Sequence, residues 1–178
     1  MLSTVKKIFS SSPYTYEAHA AYNALVNQAR SPWFYARQNV PDTVDGRFDL
    51  IVLHLFLLAN RLQQDVSTQT SEFVRVLSEV FFADMDRSLR EMGSTDTGTG
   101  KRVNAMAQAF YGRLQTYEKH IGNPQAMKES LRRNLYRESD AVEDAQLDAL
   151  MAYVERNRDH LHTQSLDDLL AGKASFVS

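Results

Sequence analysis

The chain has 178 residues, of which 43% are hydrophobic and 24% charged, and its formal net charge is −2. That size and balance suit one domain with a self-sufficient apolar core, and exclude a disordered chain or a globally basic nucleic-acid binder. The absence of cysteine excludes disulfides, thiolate metal sites, iron–sulfur clusters and thiol nucleophiles.

Residues 1–12 read as a flexible N-terminal segment without an apolar run of secretory length. Leu2, Val5 and Phe9 share a face beside Lys6 and Lys7, which offers a short interfacial anchor as the alternative to fraying. Helical spacing begins near Ala18 and Tyr22, runs through Leu25, Val26 and Ala29, and stops at Arg30-Ser31-Pro32, since proline cannot continue a helix. Trp33, Phe34, Tyr35 and Val40 form a bulky connector, expected to be a short helix packed on the core. From about Val44 to Gln64 the chain reads as a helix that is apolar on nearly every side, so its neighbours must surround it. Asp42, Asp45 and Asp49 stand at its beginning, where carboxylates cap free amides and complement the helix dipole. Its apolar run, Phe48 to Ala59, is far short of the roughly 20 residues of a membrane span.

The following helix places Phe73, Leu77, Val80, Phe81, Met85 and Leu89 on one face and ends at Gly93, a natural C-terminal stop. A Ser/Thr/Gly loop then leads to a helix with Val103, Met106, Phe110, Leu114 and Tyr117 at three-four spacing, broken at Gly122-Asn123-Pro124. Two more helices are expected around Met127–Tyr136 and Val142–Asn157. The tail, 165–178, is expected to add one turn through Leu166, Leu169 and Leu170 and then fray. The fold class is therefore all-α: a single-domain irregular bundle of roughly six or seven helices around the central apolar one. The helical domain spans 13–164.

Catalytic spacing finds no support. The loop Gly93-Ser94-Thr95-Asp96-Thr97-Gly98-Thr99-Gly100-Lys101-Arg102 fails as a phosphate loop, because Thr95 takes the first glycine position and Arg102 the hydroxyl position. A weaker reading keeps two glycines and two cations at a helix start as an anion cradle, against a plain inter-helix loop. Asp84 and Asp86 cannot converge, because helix positions two apart point about 200° from each other. Asp86–Arg90 and Arg87–Glu91 can instead bridge along the surface. His54 lacks second ligands at metal spacing and reads as a core hydrogen bonder. Lys128, Arg132, Arg133 and Arg137 form a basic stripe followed by Asp140, Glu143, Asp144 and Asp148. Helix-to-helix ion pairs are the simpler reading, and a patch for RNA or anionic lipid the alternative.

Three blocks carry a likeness. They are Pro41 to Asp49 with its apolar continuation, Phe81 to Gly93, and Gly100-Lys101-Arg102-Val103 followed by Met106 and Phe110-Tyr111-Gly112-Arg113-Leu114. In this order, between about Tyr22 and Tyr117, they resemble the ubiquinol-cytochrome c chaperone family. The resemblance implies a non-catalytic, cofactor-free assembly factor. It would bind newly made cytochrome b, with a small partner subunit and near the ribosome or membrane surface, for assembly of the bc1 complex. It implies no sequence-specific nucleic-acid binding. An apolar groove for part of a client helix is the expected device. The polar residues of the blocks are the expected partner contacts: Asp45, Arg47, Asp84, Asp86, Arg87, Lys101, Arg102 and Arg113. A bacterial cytoplasmic protein, peripheral at the inner membrane, is the expected setting, with a processed mitochondrial protein as the alternative. A helical adaptor for other soluble proteins, unrelated to respiration, is the competing function.

Overall fold

The computed structural model describes residues 12–91, 93, 96–137 and 142–177, and every regular element among them is helical. The chain forms α1 (Thr15–Ala29), α2 (Pro32–Ala36), α3 (Val44–Gln63), α4 (Thr68–Glu91), α5 (Asp96–His120), α6 (Pro124–Leu131), a π-helical turn (Arg132–Tyr136), α7 (Asp144–Thr163) and α8 (Leu166–Leu170). The N-terminal anchor candidate, Leu2 to Phe9, lies outside the described residues, as does Asp140.

The centre is α3, as its all-round apolarity requires. It touches α1, α4, α5, α7 and the π-turn, and Leu50, Val52, Leu53, Leu55 and Leu58 are fully buried. Each such leucine contributes about 1.5–3 kcal/mol through the water it excludes. Phe56 tilts against Tyr117 of α5, while Phe48 meets Phe81 of α4, which stacks on Phe110.

The start of α3 differs from the aspartate caps expected. Thr43 is the N-cap, its Oγ1 accepting from Gly46 N at 3.1 Å. Asp42 pairs with Arg47, Asp45 with Arg137, and Asp49 lies a turn too deep to reach a free amide. Gly46 is needed there for space: a Cβ would sit 2.0 Å from the Pro41 carbonyl oxygen.

His54 sits in the core with its tautomer fixed by its neighbours. Nδ1–H donates to the Leu50 carbonyl at 2.6 Å, so Nε2 accepts from the Tyr153 hydroxyl at 2.7 Å, which itself accepts from Gln28. Burial pushes the His54 pKa down to about 4, so the ring is neutral near pH 7. Phe176 packs edge-on against it.

The tail after α8 does not fray. Asn157 donates to the Val177 carbonyl and accepts from its amide, both at 2.9 Å, and Gln164 makes the same exchange with Ser175. Two amide side chains thus imitate a neighbouring strand for the last residues.

The loop expected over 93–102 is shorter than its composition suggests, because α5 begins at Asp96. Lys101 and Arg102 are therefore in the second turn of α5 and do not flank a helix start, which removes the anion cradle. Helix six also departs from expectation: it widens into the π-turn, and Arg137 follows with left-handed φ of 48°, a conformation uncommon for a residue with a Cβ.

Candidate functional site

Two features stand out on the three sequence blocks: a buried ion cluster and, beside it, a surface trough.

The cluster is centred on Asp49, whose side chain is wholly buried. Arg113 of α5, 14% exposed, brings Nε to 2.7 Å from Asp49 Oδ1 as an ion contact off the hydrogen-bonding axis. Its guanidinium also lies 5.4 Å from the centre of the Phe48 ring. Arg137 reaches back over the start of α3, with one nitrogen 2.7 Å from Asp45 and another 3.5 Å from Asp49. Desolvation pushes the Asp49 pKa up to about 6, with the two arginine charges opposing it. The Tyr117 hydroxyl, buried nearby, faces Asn134 without a well-aligned hydrogen bond, and burial raises its pKa. The cluster ties α3, α5 and the π-turn into one rigid wall.

The trough lies mostly between α1 and α4 and crosses the start of α3. A depression of about 450 Å³ opens between α1 and α4, lined among others by His19, Asn23, Asn27, Arg30, Asp84 and Arg87. Val26, Arg30 and Asp84 also border the next depression, of about 330 Å³, which crosses α3 over Val44, Arg47, Phe48 and Ile51 and reaches Met85 and Ser88 of α4. Val44 leads on to a third, bordered by Asp45, Leu89, Arg102 and Met106. A side branch over Pro32 and Asp42 shares Arg30, Tyr35 and Arg47. The depression between α1 and α4 is mostly polar; where the trough crosses α3 its floor is apolar and its rim charged.

Most charges on the rim hold one another. The Tyr22 hydroxyl donates to Asp84 at 2.8 Å, and Arg87 pairs with the same carboxylate. Burial and the Asp84 charge keep the Tyr22 hydroxyl protonated, its pKa well above the usual tyrosine value. Arg47 lies 2.7 Å from Asp42.

Of the eight polar residues named from sequence, Asp45, Arg47, Asp84, Arg87 and Arg102 border the trough. Asp86 pairs with Arg90 at 2.8 Å and is not among the lining residues. Arg87 turns to Asp84 and not to Glu91. Lys101 is exposed on α5, and Arg113 is turned inward to Asp49, so its charge supports the wall and does not face outward. The α1 side of the trough, Tyr22, Val26 and Arg30, was not foreseen. Three of the four cations of the basic stripe form ion pairs, Lys128 with Asp148, Arg132 with Asp144 at 2.9 Å, and Arg137 with Asp45 and Asp49, while Arg133 is exposed. Among the described residues no group of three or more His, Asp or Glu could hold a metal ion, and no helix is long and apolar enough to cross a membrane.

Comparison with known proteins agrees with the sequence blocks and extends them. Residues 36–176 match the ubiquinol-cytochrome C chaperone family, well past Tyr117, where the legible blocks stop. The chain is 23% identical over 151 residues to the mouse ubiquinol-cytochrome c reductase complex assembly factor 1, covering 84% of this chain and 50% of the relative. The human protein of the same name is 22% identical over 157 residues, with coverages of 87% and 52%. The chain thus spans about half the length of these relatives. The crystal structure of the Cbp3 homologue from Brucella abortus superposes with a TM-score of 0.79 at 33% identity, over 92% of this chain and 90% of that one. This chain belongs to the ubiquinol-cytochrome C chaperone family.

Proposed function

We propose that this member of the family is a non-catalytic assembly factor for the bc1 complex, and that the trough receives part of newly made cytochrome b. The trough carries the reading. All three sequence blocks that resemble the family contribute to its lining, through Val44 and Phe48, Met85 and Arg87, and Arg102 and Met106. An apolar floor with a charged rim suits a helix that is apolar on one side, which is how helix-in-groove recognition works. Cytochrome b presents such helices before its own packing is complete. The Tyr22–Asp84 hydrogen bond ties α1 to α4 across the trough, which favours a preformed groove that loses little to ordering on binding.

The matched relatives are named as reductase-complex assembly factors, which supports placing the action at that complex. Release follows from competition: as the client buries its helices against later subunits, its apolar face leaves the trough. Deleting the gene is expected to lower bc1 activity while other respiratory activities keep their level. A Val44→Glu chain, altered at a half-exposed floor position, is expected to fold and yet not restore it. Unchanged bc1 activity in the deletion strain sinks the reading and favours an adaptor unrelated to respiration.

A further inference from the structure

We infer that the segment seated in the trough carries a carboxylate, and that Arg30 receives it. This rests on the trough being a docking groove and adds which chemistry it selects. Arg30 borders three adjoining depressions at once, between α1, α2, α3 and α4.

The charge inventory of the rim decides the sign. Asp42 is held by Arg47, Asp84 by Tyr22 and Arg87, and Asp45 by Arg137. Those acids are neutralised where they stand. The side chains of Arg30 and Arg102, both exposed, have no ion-pair or hydrogen-bond partner among the described residues. Glu91, the last residue of α4, is the acid left over on the rim, and the two arginines outnumber it. Arg30 closes α1, where a cation complements the helix dipole. That explains a positive charge at this place, but it leaves the guanidinium donors free. Tyr22 and Tyr35 flank it, and its charge is felt at both hydroxyls. Their own bonds go elsewhere, to Asp84 and to the Ala29 carbonyl. An incoming carboxylate meets five unengaged N–H donors, which suit a charge-assisted, two-pronged bond.

The occupant is therefore a partner-protein segment with an apolar face and at least one acidic side chain. The chain's own residues 1–11 suit it poorly: they supply Lys6 and Lys7 and no acid. A second copy of the chain is the other competitor.

The probes are three synthetic 18-residue amphipathic helical peptides with one Leu/Ala face and a single central Glu, Gln or Lys. Binding is read by fluorescence anisotropy at physiological salt, and the binding face by hydrogen exchange of α1 and α4. The Glu peptide is expected to bind at least tenfold more tightly than the Gln peptide. Arg30→Gln is expected to erase that preference, Arg30→Glu to turn it toward the Lys peptide, and Arg133→Gln, on an exposed cation elsewhere, to leave it intact. Equal binding of Glu and Gln peptides at the trough overturns the carboxylate inference while the groove survives. Protection elsewhere, no binding, or a trough covered by self-association in sedimentation overturns both.

Discussion

Asp49 and His54 lie five residues apart on α3, both buried, and their proton equilibria are displaced in opposite senses. For Asp49 the folded value, about 6, stands above the ordinary 3.8. Between those values the folded chain keeps a proton that the unfolded chain has released. Its stability contribution is complete below about pH 4 and is lost as pH rises through 6, about 3 kcal/mol in all for a two-unit shift. His54 falls from 6.5 to about 4. Its contribution is complete above pH 6.5 and is lost as pH falls through 4, again about 3 kcal/mol. Over pH 4–6 the two slopes oppose, so this pair leaves the wild-type profile nearly flat. Asn imitates the neutral acid. In urea unfolding at pH 4, 5, 6 and 7, Asp49→Asn is expected to gain about 3 kcal/mol on wild type from the lowest pH to the highest. His54→Gln is expected to lose a similar amount over the same range. The exposed carboxylates are common to all three proteins and cancel in the differences. If Asp49→Asn instead loses ground as pH rises, the two arginines outweigh desolvation at Asp49, and the account of the cluster is wrong.

Gly46→Ala is expected to destabilise by more than about 2 kcal/mol, since the new Cβ meets backbone and not a movable side chain. Gly112→Ala, on an open face of α5, is expected to stabilise by about 0.5–1 kcal/mol, and matched thermal melts of the two variants check the contrast. Asn157→Ala removes both bonds that hold Val177, so hydrogen exchange at 174–177 is expected to quicken markedly while α3 stays protected. Unchanged exchange there means that the Gln164–Ser175 bonds and Phe176 packing suffice to fix the tail.

Regular apolar spacing made the long helices legible, because a 3.6-residue period marks the buried stripe whatever it packs against. The central place of α3 followed from its lack of a polar face. What escaped was set by contacts distant in sequence. Thr43 outcompetes three aspartates as cap because only its side chain reaches a free amide. Polar Asn157 and Gln164 give no sequence sign that they clamp the tail. Gly98 and Gly100 have poor helix propensity, so their stretch reads as a loop although α5 already runs through it. For the site, charged residues inside the three blocks found the α3, α4 and α5 sides of the trough. The α1 side was invisible, since the Tyr22–Asp84 bond spans 62 residues. The inward turn of Arg113 has no sign in the sequence, which cannot show that Asp49 faces it across two helices.

We propose the trough as the client-binding surface in bc1 assembly. Photo-reactive residues introduced singly at Val26 and Val44 in the trough, and at Arg75 and Glu79 on the outer face of α4, test it directly in cells making cytochrome b. A cross-link to cytochrome b is expected from Val26 and Val44 alone, and that result supports the trough as the client site. Cytochrome b captured only from Arg75 or Glu79, or from none of the four, contradicts it.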